Sequence, residues 1–135
     1  MLLLVDDDES FPLVVPGLFS KAHPSLEFQI LQDGDEAIDY LSGAGEYADR
    51  VRFPFPSTVL LDIKMRRVTG FEVLEWKKTQ PNLKDLPVVI WSSSDLPEDK
   101  DKAMSLGAVA YLPKPWLLED LAEVIGKLKA LGLEV

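Results

Sequence analysis

Short apolar runs alternate along this chain with segments of helical periodicity, and this alternation is the strongest constraint on the fold. Four runs are uninterrupted, as in strands buried on both faces, and one alternates apolar with polar residues, as in a half-buried strand. Each intervening segment has room for a helix, so consecutive strands must be parallel and joined by right-handed crossovers. The predicted strands are residues 2–5, 26–31, 59–61, 88–91 and 109–112.

One helix is predicted after each strand, which gives an α/β fold with five helices in a single domain of residues 1–135. Pro16 lies inside the first helix, where it removes a donor and crowds the preceding turn, so we expect a kink. Asp95 is expected to cap the fourth helix. The last helix, 117–131, is predicted to direct inward Leu118, Leu121, Val124, Ile125 and Leu128.

Composition narrows the class of partner. The formal net charge is -9, which argues against nucleic acid or an anionic membrane, because both attract basic patches. Cysteine is absent, so neither a disulfide nor a thiolate site can form. No apolar run approaches the length of a membrane span. We therefore expect a soluble cytoplasmic protein.

Polar residues follow three of the predicted strands at the point where each ends. Asp6, Asp7 and Asp8 follow the first strand, Asp62 follows the third, and Ser92 begins a serine run after the fourth. In open α/β sheets, ligands bind beyond the carboxyl ends of the strands. These residues are therefore expected to meet around Asp62 and to make it a phosphoryl acceptor.

A carboxylate is a weak nucleophile and a donor phosphate is anionic, so this chemistry requires cations. A hard divalent ion with oxygen ligands provides one, and Asp6 and Asp7 supply carboxylates for it. Lys114, at the end of the last strand, is a candidate for facing the phosphoryl oxygens. Ser92 is placed to donate a hydroxyl hydrogen bond.

These residues resemble the receiver domains of two-component response regulators. The spacing is the specific part, with 30 positions from Asp62 to Ser92 and 22 from Ser92 to Lys114. The long loop of residues 42–57 and the segment 87–95 are similar to phytochrome-associated single-domain regulators in particular. The motifs that carry the resemblance are Val5-Asp6-Asp7, Leu61-Asp62, Ser92 and Lys114-Pro115.

The resemblance implies a flavodoxin-like, doubly wound sheet of five parallel strands in the order 2-1-3-4-5. It also implies that a sensor histidine kinase phosphorylates Asp62, and the closer similarity implies a kinase of the phytochrome type. Magnesium would be the cofactor. Its ligands would be Asp6, Asp7 and Asp62 with the backbone carbonyl of Lys64.

Further roles follow from the same resemblance. Ser92 and Lys114 would each contact a phosphoryl oxygen, and Tyr111 would be the aromatic switch that rotates inward when Ser92 moves. A cis peptide bond would precede Pro115. The protein would be a phosphorelay switch and not an enzyme, with self-dephosphorylation as its only turnover.

Two departures from the family pattern fall in the loop after Asp62. Arg66 stands where receivers commonly have proline, and Thr69 stands where they often have aspartate, so we expect a looser or differently shaped loop. Lys64 lies two residues past the acceptor. We expect its side chain to lean over the phosphoryl group and to lengthen its lifetime by hindering water.

The first helix is unusually apolar, and its apolar side chains cannot all face the sheet, so some of them should be exposed. Kinase docking in the resembled family uses this helix and the loop after the last strand. We therefore expect a surface that binds a kinase dimerisation helix or a second copy of this chain. Its predicted members are Phe11, Leu13, Val14 and Trp116.

Two rival functions differ from this interpretation in a testable way. Haloacid-dehalogenase-like phosphatases also phosphorylate an aspartate at a strand end, but they carry a second aspartate two residues later. Lys64 occupies that position here, which removes the general acid. The alternative that stays open is a pseudo-receiver, a binding module that is never phosphorylated.

Overall fold

The computed structural model describes the backbone of residues 1–135 and every side chain except that of Leu118, so the inward orientation predicted for Leu118 lies outside the described residues. Five parallel strands form one sheet in the order β2-β1-β3-β4-β5, which confirms the expected doubly wound fold. Their bounds are β1 Leu2–Val5, β2 Phe28–Leu31, β3 Thr58–Asp62, β4 Val88–Ser92 and β5 Ala110–Pro113.

Five α-helices connect and follow the strands, as predicted. Their bounds are α1 Phe11–Ala22, α2 Gly34–Ser42, α3 Gly70–Lys78, α4 Pro97–Ser105 and α5 Ala122–Ala130. Short 3-10 turns lie at Gly45–Ala48, Pro81–Leu83 and Leu118–Leu121. Among the helices that the structure describes, none combines the length and apolar character that crossing a membrane would require.

The helices divide between the two faces of the sheet. Alternate residues of a strand face opposite sides, so Leu3 and Val5 pack into one core while Leu2 and Leu4 pack into the other. The first core lies under α2, α3 and α4, and the second lies under α1 and α5. This burial on both faces explains why β1, β3 and β4 are built on continuous apolar runs, whereas the partly buried β2 alternates apolar with polar residues.

Several local predictions were wrong at the boundaries. The second strand begins at Phe28, two residues later than predicted. Asp95 does not cap α4, because the cap position is Leu96, which makes no side-chain bond. The kink expected at Pro16 stays a prediction, since α1 is continuous from Phe11 to Ala22 with Pro16 inside it.

The loop of residues 43–57 has an aromatic core of its own. The rings of Tyr47 and Phe53 lie 4.9 Å apart, and each also contacts Tyr40 of α2. The Tyr40 hydroxyl donates to the carbonyl of Pro54 at 2.8 Å, and the Arg50 guanidinium lies 5.6 Å from the Tyr40 ring centre. Side-chain packing therefore orders a segment that is longer than most α/β connections.

Candidate functional site

The sheet register brings the predicted site residues to one edge. Val5 pairs with Leu61, so Asp6 and Asp62 follow neighbouring positions on β1 and β3. Ser92 ends β4 and pairs with Pro113 of β5. The carbonyl of Ser92 accepts the backbone N–H of Lys114 at 2.9 Å, which fixes the start of the Lys114 side chain beside β4.

Lys114 is the cation at the centre of this edge. Its Nζ lies 2.6 Å from Asp6 Oδ2 and 3.1 Å from Asp62 Oδ2, so one ammonium bridges two buried carboxylates. The ring centres of Trp91 and Phe11 lie 5.5 Å and 5.8 Å from the same nitrogen. Both rings add a cation–π attraction and limit the contact of the ammonium with water.

Sequence reasoning did not assign these two rings to the site. Only their positions in the sequence could have indicated a role in the site, since Trp91 immediately precedes Ser92 and Phe11 opens the helix after the acidic loop. Each stands beside a predicted site residue. An apolar ring at such a position reads equally well as core, and both rings are in fact buried, in edge contact with each other.

Three carboxylates converge at this edge. Asp6, Asp7 and Asp62 each offer an oxygen, and these atoms all lie within 4.8 Å of one another. Asp6 Oδ1 also accepts the backbone N–H of Asp8 at 3.0 Å. Clustered carboxylate oxygens are the donor set of a hard divalent cation such as Mg²⁺, so these residues fit the predicted metal.

Burial and charge–charge interactions shift the pKa values of Asp6, Asp62 and Lys114. Burial, with the charge of Asp6, raises the pKa of Asp62 to about 6 although Lys114 opposes the shift. Burial also raises the pKa of Asp6 against the lowering effect of Lys114. Burial alone would lower the pKa of Lys114, but the hydrogen bond and charge of Asp6 outweigh it and raise it. The site therefore has fewer positive charges than carboxylates.

Ser92 and Tyr111 occupy the next layer of the site. The Ser92 side chain is buried, and its Oγ accepts the backbone N–H of Ser94 at 3.0 Å. The half-buried Tyr111 donates its hydroxyl to the carbonyl of Ser94 at 3.0 Å. Tyr111 is thus connected to Ser92 through the loop that follows β4.

The loop between β3 and α3 is held by several side-chain contacts, and the expectation of a looser or differently shaped loop stays a prediction. Thr69 forms a reciprocal capping box with Glu72, so it does the capping work expected of aspartate. Arg67 has a left-handed φ of 62° and places its Nη2 2.6 Å from Asp33 Oδ2. Gly70 lies so close to the Asp62 carbonyl that a Cβ would overlap it.

Lys64 and Arg66, in the same loop, both have exposed side chains. The backbone N–H of Lys64 donates to Asp62 Oδ1 at 3.4 Å. The Nε of Arg66 lies 3.9 Å from Asp7 Oδ2, so this departure from the family pattern places a cation beside the acidic group. The sequence marked Arg66 as unusual but did not indicate what it would contact.

The predicted docking residues separate into two groups. Leu13 is 84% exposed, Trp116 is fully exposed, and Val14 is intermediate. Phe11 is 3% exposed, so its assignment to a docking surface was wrong: its ring packs edge-on against Trp91 beneath α1. The peptide bond before Pro115 is trans, so the expected cis bond was also wrong.

Comparison with known proteins agrees with this geometry. Residues 2–126 match the response regulator receiver domain family. The response regulator Rcp1 of Synechocystis sp. is 31% identical over 134 residues, which cover 99% of this chain and 89% of that protein. The Mn²⁺-bound structure of Rcp1 has a TM-score of 0.78 at 30% identity and covers 99% of this chain and 94% of that one.

Two further solved structures are similar over nearly the whole chain. The response regulator RPA3017 in red light signaling of R. palustris has a TM-score of 0.84 at 30% identity, covering 99% of this chain and 98% of that one. The phosphorylated cyanobacterial phytochrome response regulator RcpA has a TM-score of 0.83 at 28% identity, covering 99% and 97%.

These similarities confirm the resemblance to receiver domains and to the regulators associated with phytochromes. Receiver domains act as signalling switches in two-component systems, pair with sensor histidine kinases and bind Mg²⁺ at an acidic pocket. From the family match, the fold and the acidic strand ends together, this chain belongs to the response regulator receiver domain family.

Proposed function

We propose that this protein is a phosphorylation-operated switch in which Asp62 accepts a phosphoryl group from a sensor histidine kinase. The observation that carries the proposal is the position of Lys114 Nζ, 2.6 Å from Asp6 and 3.1 Å from Asp62, beside three converging carboxylates. A purely structural ion pair would not require a third carboxylate or leave the pKa of Asp62 raised to about 6.

The transfer step uses the carboxylate of Asp62 as the nucleophile. One of its oxygens forms a bond to phosphorus while the P–N bond of the kinase phosphohistidine breaks, and the imidazole keeps the electron pair and takes up a proton. Asp6, Asp7, Asp62 and the backbone carbonyl of Lys64 would hold Mg²⁺. When bound, this ion would neutralise the anionic oxygens that approach each other.

The ammonium of Lys114 would also help to neutralise these anionic oxygens. Lys114 is held by the Asp6 carboxylate and flanked by two rings, so it is positioned before the donor arrives. It would leave Asp62 to contact an oxygen of the transferred phosphoryl group. Asp6 keeps it within reach of that oxygen, because the Asp6 contact is the shorter of the two.

The switch would run from Ser92 to Tyr111. A phosphoryl oxygen on Asp62 would accept a hydrogen bond from the Ser92 hydroxyl and draw the loop after β4 inward. Tyr111 donates to the carbonyl of Ser94 in that loop, so its ring would move with it. The surface formed by α4, β5 and α5 would then present a different face to a partner.

The kinase is proposed to dock on α1 and the loop after β5. The exposed apolar side chains there include Leu13, Trp116 and Leu117, and Val14 is partly exposed. RcpA is described as a phytochrome response regulator, which supports a phytochrome-type kinase as the partner. A second copy of this chain is the other occupant that this apolar surface would accept.

Docking and chemistry can be tested separately. Leu13→Glu should reduce phosphotransfer from a purified bacteriophytochrome kinase while leaving labelling by acetyl phosphate unchanged. Lys21→Glu, exposed in the last turn of the same helix, is the control. If Leu13→Glu transfers normally and also leaves the oligomeric state unchanged, the docking surface is wrong.

The phosphoacceptor is tested with acetyl phosphate and Mg²⁺, followed by intact mass spectrometry. The wild type should gain one phosphoryl group, and Asp62→Asn should gain none. Asp101→Asn, an exposed change in α4, should label as the wild type does. A wild type that never acquires the group, while Asp62→Asn still binds partners, would identify a pseudo-receiver instead.

A further inference from the structure

Arg66 is a cation at the rim of the acidic group that the phosphoryl chemistry does not use. Its Nε lies 3.9 Å from Asp7 Oδ2, and its Nη2 lies 3.9 Å from Glu9 Oε1. The Arg66 side chain is 64% exposed, whereas that of Asp7 is 28% exposed. Arg66 therefore reaches inward from solvent to the most accessible of the three converging carboxylates.

The two basic side chains divide the carboxylates between them. Lys114 bridges Asp6 and Asp62 from the buried side, and the ion pairs that the structure gives Asp7 come from Arg66 alone. Arg67, the next residue, is held elsewhere by Asp33 and Asp35. Each of the three acids thus has a protein cation before any metal arrives.

We propose that Arg66 competes with the divalent cation for Asp7 and so lowers the metal affinity of the site. The inference rests on the proposed function in one respect, since it takes Asp7 as a metal ligand. Arginine stays protonated at all working pH values, so its charge cannot be removed by the surroundings. A divalent ion at Asp7 must either displace the guanidinium or bind against its repulsion.

The geometry shows where the displaced side chain would go. Glu9 is 82% exposed and lies within 3.9 Å of the other end of the Arg66 guanidinium. Arg66 can therefore give up Asp7 and keep a carboxylate partner in solvent. An exposed charge pair at this separation changes binding by about threefold, so the competition should tune the metal affinity and not abolish it.

The test is isothermal titration calorimetry of the full chain with MgCl₂ and with MnCl₂ at pH 8 and low salt. Arg66→Gln should bind both ions about threefold more tightly than the wild type. Arg66→Lys keeps the charge and should bind close to wild type. Lys21→Gln removes one positive charge at the far end of α1 and should leave the dissociation constant unchanged.

Salt separates charge competition from a change of loop shape. Because the pair is exposed, the advantage of Arg66→Gln over the wild type should shrink as NaCl rises to about 0.5 M. Equal or weaker binding by Arg66→Gln, with the wild type binding normally, would overturn this inference alone. A wild type that binds neither ion would overturn the proposed metal site and the inference with it.

Discussion

The two ends of the sheet both bury polar side chains, but they satisfy them in opposite ways. At the amino end, Thr58 is fully buried and its hydroxyl donates to the carbonyl of Glu134 at 2.6 Å. The Ser57 hydroxyl contacts the same carbonyl at 2.9 Å. At the carboxyl end, Asp6 and Asp62 are 0% and 4% exposed and share one ammonium.

The difference separates a structural polar contact from a functional one. A buried hydroxyl with a good acceptor is neutral, satisfied and independent of pH, so it needs nothing from outside the chain. Buried carboxylates that outnumber their cations are costly and depend on both pH and added ions. A protein keeps such a cluster against its own stability when the cluster performs chemistry.

The largest expected effect is a change in stability on substitution at the carboxyl end of the sheet. Without metal, Asp62→Asn should stabilise the protein at pH 8 by up to about 3 kcal/mol, because the pKa of Asp62 rises from 3.8 unfolded to about 6 folded. Between these values the folded state binds more protons than the unfolded state. The contribution of Asp62 to stability is therefore full below about pH 4 and lost as the pH rises through 6.

Urea unfolding in EDTA across pH 4 to 8 measures this. Other carboxylates act in the opposite direction, since hydrogen bonds from Ser10 lower the pKa of Asp8, so only the difference between the variant and the wild type is informative. That difference should grow between pH 4 and pH 6 and then stay level. A variant less stable than the wild type at pH 8 would remove the contrast between the two ends.

The amino end should respond more weakly and in the other direction. Thr58→Val keeps the shape but removes the donor to Glu134, so it should cost about 1 kcal/mol at every pH and leave labelling of Asp62 unchanged. Thr79→Val is the matched control, because its hydroxyl makes a 2.6 Å bond to Trp76 but lies in solvent. An equal loss in both variants would mean that burial does not distinguish the amino end.

The sequence predicted the carboxyl end far better than the amino end. The meeting of Asp6, Asp62 and Ser92 could be predicted because each follows or ends a strand, and parallel strands in one sheet end at the same edge. The contact of Thr58 with Glu134 was not, since it joins residues 76 positions apart through a backbone carbonyl, and carbonyls carry no sequence signal.

The misassigned residues have a common physical origin. Phe11 lies on an apolar helix where several positions compete for the sheet, and the competition is decided by packing on Trp91. Asp95 was assigned as a cap from its residue type. The helix begins at Pro97, however, so the cap position is Leu96 and Asp95 lies one residue before it. Residue type also could not tell which acids the adjacent Arg66 and Arg67 contact, because that depends on tertiary structure.

The smallest expected effect is on the rate of phosphoryl loss, through the exposed side chain of Lys64 at the carboxyl end of the sheet. The Lys64 side chain is in solvent while its backbone N–H contacts Asp62, so only the side chain is free to cover a phosphoryl group. Lys64→Ala should hasten phosphoryl loss from Asp62 by on the order of threefold, since hindered access of water changes the barrier by less than 1 kcal/mol. Stability should not change, because the removed atoms are exposed.

Loss of the phosphoryl mass with time, after excess acetyl phosphate is removed, measures this rate. Lys64→Met keeps the length of the side chain and removes the charge, so it distinguishes coverage from electrostatic attraction. If coverage is the cause, Met should retain the wild-type rate and Ala should not. An unchanged rate in Lys64→Ala would mean that lifetime is controlled by buried groups, and that the rim contributes nothing to the contrast between the two ends of the sheet.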